Sequence, residues 1–412
     1  MRAEILTIGD ELCRGEIIDT NSSELAARLW DLAITTRWMT SCNDDAADIS
    51  RALDAAVARA DVVVTSGGLG PTEDDLTVEV VAKLLGVPVV IDEAHRARME
   101  AWLKMRMGGT PLAEIQLRQV RVPEGARVHA NPVGLAPCFE ASVRGVPVIC
   151  LPGVPRELYA IWDAHLRTRL QELRGDTAEH IARRIYRTFG RGESQVAQAC
   201  AGLVDGVAGA SIHYQVKFPE TLVKLVVRDR EQAAADERLA ALDESIRARL
   251  STVLYGTGDE QLIEQVVRRA IAAKRTIATA ESCTGGMIGE LLTRVPGSSA
   301  AFGGGAIVYS NEEKVRQLGV AQATLDAHGA VSEQTVTEMA AGARARFGAD
   351  VAVAVSGVAG PDGGTPDKPV GTVWIACASD TMTTKKLAWP STRDQIRTLA
   401  SWWAIKMIGE AL

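Results

Sequence analysis

Residues 61–77 read Asp61-Val62-Val63-Val64-Thr65-Ser66-Gly67-Gly68-Leu69-Gly70-Pro71-Thr72-Glu73-Asp74-Asp75-Leu76-Thr77. The β-branched run at 61–65 has the length of one fully buried strand. It ends in a serine and a glycine-rich loop, passes two aspartates, and gives way to a helical pattern at 77–85. A strand that hands its chain through glycines to a helix is the repeating unit of a doubly wound α/β sheet. Outward from it, 4–8 and 146–151 read as further strands and 21–32 as a helix. The expectation is a mostly parallel sheet over residues 1 to about 170, with ligands bound beyond the carboxyl ends of the strands. Three polar motifs fall there: Gly9-Asp10-Glu11, the loop 66–77, and Pro152-Gly153-Val154-Pro155-Arg156-Glu157.

The loop supports two readings. Gly67, Gly68 and Gly70 allow backbone to approach a phosphate closely and cradle it with N–H groups. Asp74 and Asp75, with Asp10 or Glu11, offer hard oxygen ligands to a cation such as Mg²⁺. In the other reading an aspartate caps the helix and the glycines only turn the chain.

A second strand-to-turn signal stands at Ala280-Glu281-Ser282-Cys283-Thr284-Gly285-Gly286, after an apolar run at 276–280. A hydroxyl placed there has backbone N–H groups nearby for a developing oxyanion. It lacks a base, which Lys314 with Tyr309 can supply. Three readings are open: Ser282 attacks, activated by a lysine of suppressed charge; Cys283 attacks; or Ser282 and Thr284 only cap a helix while Lys314 is a solvated surface lysine. A thiolate route wants a histidine, and His328, the only one in this section, has no motif around it.

Residues 257–412 read as a second layered α/β domain. Strands are expected at 276–279, 303–309, 350–355, 371–378 and 382–388, and helices at 262–273, 287–294, 332–347 and 392–410, with two short helices between 309 and 332. Between the two α/β sections, 181–189, 211–217 and 221–227 read as strands and 193–203 and 231–250 as helices, a small α+β unit. The expected boundaries are 1–172, 173–256 and 257–412.

The whole chain of 412 residues is 47% apolar and 24% charged, with a net charge of -7 and a pI near 5.6. That balance gives no general attraction to nucleic acid or to an anionic membrane. Charges on the 231–250 helix alternate in sign, so a spacer or dimerisation role is favoured there over RNA binding. Seven cysteines are scattered without a C-x-x-C pair and read as free thiols of a reducing compartment. No signal-peptide pattern and no apolar run of transmembrane length is present, and the expected location is the cytoplasm.

The motifs carry a family resemblance. Gly9-Asp10-Glu11-Leu12 with Asp19-Thr20-Asn21, and Gly67-Gly68-Leu69-Gly70-Pro71-Thr72-x-Asp74-Asp75-x-Thr77, resemble the molybdopterin-binding domain of MoaB, MogA and MoeA proteins. They resemble still more closely the domain at the front of the CinA family. Thr188-Phe189-Gly190-x-Gly192-Glu193-Ser194 is similar to the KH-like middle domain of that family. The 280–286 motif, Val295-Pro296-Gly297-Ser298-Ser299, Tyr309-Ser310-Asn311 with Lys314, Leu318-Gly319-Val320, Gly329-Ala330-Val331-Ser332, and the stretch from Gly357-x-Ala359-Gly360-Pro361 to Lys368-Pro369-Val370-Gly371 resemble, in order, the CinA C-terminal domain.

For that domain the resemblance implies a nicotinamide mononucleotide deamidase needing no cofactor. Ser282 would be the nucleophile, Lys314 the base and Tyr309 the third member, with Cys283, Thr284, Gly285, Asn311, Gly360 and Arg393 binding substrate. For the first domain it implies cleavage of ADP-ribose to AMP and ribose 5-phosphate. There Gly67, Gly68, Gly70, Thr72 and Asn131 would bind substrate, and Asp10, Glu11, Asp74 and Asp75 a divalent metal, Mg or one of the Co/Mn kind, with K⁺ as an accompanying ion. The partners implied are these small nucleotides and a second copy of the chain, without nucleic acid or membrane. Rival readings are a nucleotide-sensing or competence-related binding protein without turnover, and molybdopterin adenylylation by the first domain. Three positions depart from the family pattern: Leu135 stands where Thr is usual, Cys138 where Gly is usual, and Ser391 where Gly commonly precedes the arginine.

Overall fold

The computed structural model describes residues 1–107, 113–175 and 179–412. The chain gathers into two compact units, Met1–Ile181 with Arg228–Ala235, and Ala182–Val227 with Asp236–Leu412.

In the first unit the strands are β1 (Arg2–Ile8), β2 (Thr35–Cys42), β3 (Val62–Ser66), β4 (Val89–Ile91), β5 (Arg121–Pro123), β6 (Arg127–His129), β7 (Cys138–Val143) and β8 (Val146–Leu151). Six of them form one sheet in the order β2-β1-β3-β8-β7-β6. β2, β1, β3 and β8 run parallel, and β7 and β6 turn back antiparallel. β3 is buried along its whole length between β1 and β8, as a continuous β-branched run requires. The expected helix at 77–85 is Thr77–Leu85, stopped by Gly86 in the left-handed conformation. Asp19 opens the helix Thr20–Asp31 by accepting the Ser22 N–H, and Asp45 opens Ala46–Arg59 by accepting those of Ala47 and Asp48. The expectation of a mostly parallel sheet therefore holds, with β7 and β6 added antiparallel at one edge. β2 went unread because it is an edge strand, half-exposed through most of its length.

The second unit continues with β9 (His180–Phe189), β10 (Ala210–Lys217), β11 (Glu220–Asp229) and β12 (Leu254–Thr257), in the order β10-β11-β9-β12. The expected helix 193–203 ends early, at Ala199, where Gly202 and Gly206 turn left-handed. Its larger sheet holds β13 (Ile277–Glu281), β14 (Phe302–Ile307), β15 (Val351–Gly357), β16 (Thr372–Ala378) and β17 (Met382–Ala388), in the order β14-β13-β15-β16-β17. β14, β13 and β15 are parallel; β16 and β17 are antiparallel to their neighbours.

Period-two alternation gives this sheet two different faces. Ile277, Val351, Val353, Val355, Val373 and Ile375 pack on one side with residues of the helices Leu262–Ala273 and Arg393–Ala411. On the other, Ala278, Ala280, Ala352, Ala354, Ala376 and Ala378 pack with Val336, Met339, Ala340 and Ala343 of the helix Glu333–Phe347. Branched residues fill the thicker layer, and alanines let one helix lie close. Both layers clamp β13, so the residue that follows its last position is held from two sides. That residue is Ser282.

Candidate active site

Ser282 leaves the carboxyl end of β13, its N–H bonded to the Val355 carbonyl of β15 at 3.0 Å. It is 8% exposed. The expectation at 303–309 was one strand to Tyr309, but β14 ends at Ile307 and the chain bends away. Lys314 explains the bend. It sits inside the helix Asn311–Leu318, whose N-cap Ser310 accepts the Glu313 N–H, and it is 1% exposed. Its Nζ lies 3.0, 3.2 and 3.4 Å from the carbonyl oxygens of Val308, Tyr309 and Ser310, and 3.3 Å from Ser282 Oγ. Carbonyls that would extend the strand ladder are turned onto one amine instead.

Burial lowers the Lys314 pKa from the ordinary lysine value of 10.5; the nearby Cys283 and Glu312 work in the opposite direction. Desolvation disfavours the ammonium. A neutral amine has two N–H donors for carbonyls and one lone pair for a hydroxyl proton, so it can activate Ser282. A solvated surface lysine is thus excluded, and Ser282 makes no capping bond to the helix Met287–Thr293.

What caps that helix is Glu281. Its carboxylate, 1% exposed, accepts the N–H groups of Gly286, Ile288 and Gly289 at 3.0, 3.1 and 2.9 Å. Those donors at the helix start are therefore engaged, which leaves the expected oxyanion holders, the N–H groups from Cys283 to Gly285. Gly285 donates to the Ser282 carbonyl at 3.1 Å. Among the described residues, the amides of Cys283 and Thr284 are committed to no carbonyl or carboxylate, and they stand directly after the nucleophile. Thr284 is fully buried with its Oγ1 unpartnered, and its carbonyl accepts Arg397 Nη2 at 2.9 Å. The Cys283 thiol is pushed up to about 12, chiefly by burial, so it is a poor thiolate near neutrality.

Tyr309 enters through its backbone. Its phenol is 62% exposed and accepts from Arg393 Nη2 at 3.3 Å, while Arg393 Nη1 donates to the Gly360 carbonyl at 2.7 Å. Tyr309, Gly360 and Arg393 therefore form a second group, bonded to one another. Asn311 is exposed at the start of the Lys314 helix.

In the first unit the three strand-end motifs do meet. Asn21 Nδ2 donates to Ser66 Oγ at 2.9 Å and to the Gly153 carbonyl at 2.7 Å, tying one motif to each of the other two. Gly67 has φ of 111°, and a Cβ there would stand 2.2 Å from the Ile8 carbonyl, so only glycine lets this loop touch β1. Asp75 holds the loop itself: its oxygens accept the Gly70 N–H at 2.7 Å, the Thr72 N–H at 2.9 Å and the Thr72 hydroxyl at 2.6 Å. Asn131 is fully buried, donating to the Ala136 carbonyl at 2.8 Å and to Glu157 at 2.7 Å, and accepting the N–H groups of Val133 and Gly134. Thr72 and Asn131 thus spend their polar atoms shaping loops.

Asp10 accepts the Asp44 N–H at 3.2 Å and pairs with Arg14. Glu11 and Asp74 are exposed. The Asp44 carboxyl is raised, first by burial and then by the charges of Glu11, Asp10 and Asp75, so four carboxylates share this end of the sheet. Among the described residues, no three His, Cys, Asp or Glu side chains converge as a ligand set. Of the expected metal residues, Asp10, Glu11 and Asp75 lie around Asp44 without closing around a cation. Asp44 was missed by sequence reasoning because β2 was missed; read as a strand end, Cys42-Asn43-Asp44 has the signature of the other motifs.

A chain that pairs a doubly wound sheet of this kind with a buried serine–lysine site in a second layered sheet falls in a narrow class. Residues 4–172 match the model of the probable molybdopterin binding domain, 183–256 that of the damage-inducible protein CinA KH domain, and 259–412 that of the CinA C-terminal domain. The chain is 43% identical over 380 residues to a putative competence-damage inducible protein of Symbiobacterium thermophilum, covering 92% of this chain and 88% of that one. It is 40% identical over 420 residues to a CinA-like protein of Anaeromyxobacter dehalogenans, covering 100% of both. Among solved structures, the competence/damage inducible protein CihA from Agrobacterium tumefaciens matches 36% of this chain and 94% of its own at 40% identity, with a TM-score of 0.35. The chain belongs to the CinA family.

Proposed function

We propose that the C-terminal domain is an amidohydrolase that converts nicotinamide mononucleotide to nicotinic acid mononucleotide and ammonia. The observation that carries this reading is the buried Lys314 amine, 3.3 Å from the Ser282 hydroxyl at a strand end. A lysine stripped of water beside a hydroxyl is the arrangement a serine nucleophile needs when no histidine is at hand.

In this reading Ser282 Oγ bonds to the carboxamide carbon as its proton passes to Lys314 Nζ. The carbonyl oxygen becomes an oxyanion held by the Cys283 and Thr284 amides. The carbon–nitrogen bond then breaks, and Lys314 returns the proton to the leaving nitrogen, which departs as ammonia. Water attacks the Ser282 ester, again giving its proton to Lys314, and the acid leaves with the Ser282 hydroxyl restored. The Arg393 guanidinium has five N–H donors and uses two on Gly360 and Tyr309, so the rest suit the substrate phosphate. Ammonia release from nicotinamide mononucleotide, measured for wild type and Ser282→Ala, tests the reading. Equal rates would overturn it.

For the first unit the proposal is hydrolysis of the diphosphate bond of ADP-ribose, with AMP and ribose 5-phosphate as products. It is supported by the four carboxylates gathered beside the glycine loop. With a panel of divalent ions, wild type should form AMP and Asp44→Ala should lose most of that activity. No AMP with any ion refutes it. Together the two activities make a cytoplasmic enzyme of pyridine-nucleotide salvage, working as a homodimer.

A further inference from the structure

The Ala182–Val227 and Asp236–Leu412 unit contains a concavity that Ser282 does not line. Its volume is about 460 Å³, and it lies where the Gly190-Arg191-Gly192 loop and the tip of the β10–β11 hairpin face β17 and the C-terminal helix. Phe218 and Trp389 stack there, with ring centroids 5.5 Å apart and planes 16° from parallel. Both keep more than a third of their surface open, at 39% and 36%. Trp403 lines the other side, with Lys385 Nζ 3.7 Å from its ring centroid. Gly190, at φ 100°, lies against Trp403 so closely that a Cβ would stand 3.1 Å from its ring.

The lining is also cationic. Arg191 and Lys385 reach the pocket, against the acids Glu193 and Glu220, while Lys386, next along β17, places its Nζ on the other face of the sheet, 5.8 Å from the Trp374 ring centroid. Glu220 is buried and already neutralised by Arg187, whose Nη1 lies 2.7 and 2.9 Å from its two oxygens. Among the described residues, Arg191 and Lys385 have no carboxylate partner. Two cations without a carboxylate partner beside exposed aromatic plates, in a chain of net charge -7, mark a place suited to an anion with a flat ring. Aromatic faces stack nucleobases, and a guanidinium binds phosphate by paired N–H donors. A single-stranded nucleic acid would need a basic groove running on past the pocket, whereas these cations sit beside one open concavity of about 460 Å³.

We propose that this pocket binds a nucleoside monophosphate, the base lying on Trp389 and Phe218 and the phosphate meeting Arg191 and Lys385. The site is separate from both proposed catalytic centres and does not depend on either activity.

Calorimetric titration of the full chain with AMP tests it, using adenosine, ribose 5-phosphate and an eight-nucleotide single-stranded RNA as comparison arms. Arg191→Glu and Trp389→Ala should each weaken one AMP site by about tenfold or more, as loss of a stacking or phosphate contact does. Asp44→Ala and Ser282→Ala should leave that same site intact. Adenosine and ribose 5-phosphate should each bind it more weakly than AMP. Thermal melting checks that the variants fold; Arg191 is exposed on a loop, so its variant stays informative if Trp389→Ala is unstable. AMP isotherms unchanged by Arg191→Glu would overturn the proposal. So would RNA that binds more tightly than AMP, with a steep salt dependence lost in Arg191→Glu, since that assigns the pocket to nucleic acid.

Discussion

Lys314 is held among three carbonyls and a hydroxyl with almost no access to water. Its proton affinity falls because burial removes the hydration of the ammonium. As a base it must be neutral, so deamidation should rise with pH through its pKa, with the limb lying below 10.5. The same shift acts on stability. Between the folded and unfolded lysine values the unfolded chain binds more protons, so stability rises with pH across that window. Lys314→Arg keeps a permanent charge, and it should cost about a thousandfold or more in rate and erase the limb. Cys283→Ala is expected to retain activity within about tenfold, since a thiol pushed to about 12 does not attack; loss comparable to Ser282→Ala would return the nucleophile to sulfur. The motif 280–286 marked this serine in the sequence, and the lysine thirty-two positions later was readable as its base. The phenol of Tyr309 was not readable, because which way an exposed ring turns depends on Arg393, from the other end of the domain.

At the scale of elements, the turn after β13 is built by Glu281 rather than by the glycines alone. A carboxylate on three helix N–H groups satisfies donors that would otherwise be orphaned. Glu281→Ala should destabilise the second unit by about 2–4 kcal/mol, read by denaturant melts, and should lower kcat more than KM because the Cys283 and Thr284 amides lose their support. A rate loss with unchanged stability would place Glu281 in the chemistry instead. Gly67→Ala forces a side chain against the Ile8 carbonyl at positive φ, and about 2 kcal/mol or more should be lost. An unchanged melting temperature would contradict that packing. Buried parallel strands were plain in the sequence, because β3 and β13 carry short, mainly apolar or β-branched runs that end at glycine-rich turns. β2, β6 and β7 were not, since short edge strands and antiparallel returns carry a weaker pattern. Asp44 was lost along with β2.

For the molecule as a whole, the order of the three family models matches the order of the motifs read from the chain. Its acidic net charge leaves little long-range attraction for nucleic acid, and no helix among the described residues is long and apolar enough to cross a membrane. A salt titration of DNA binding should therefore show only weak association, whereas tight, salt-sensitive binding would favour a competence-related binding role. The central claim is that Ser282 is acylated by its substrate. The direct measurement is intact-mass and peptide mass spectrometry of enzyme quenched during turnover of nicotinamide mononucleotide. The account predicts an adduct of substrate less ammonia on the peptide containing Ser282, absent in Ser282→Ala. No adduct in wild type, with Ser282→Ala still releasing ammonia at the wild-type rate, would contradict it.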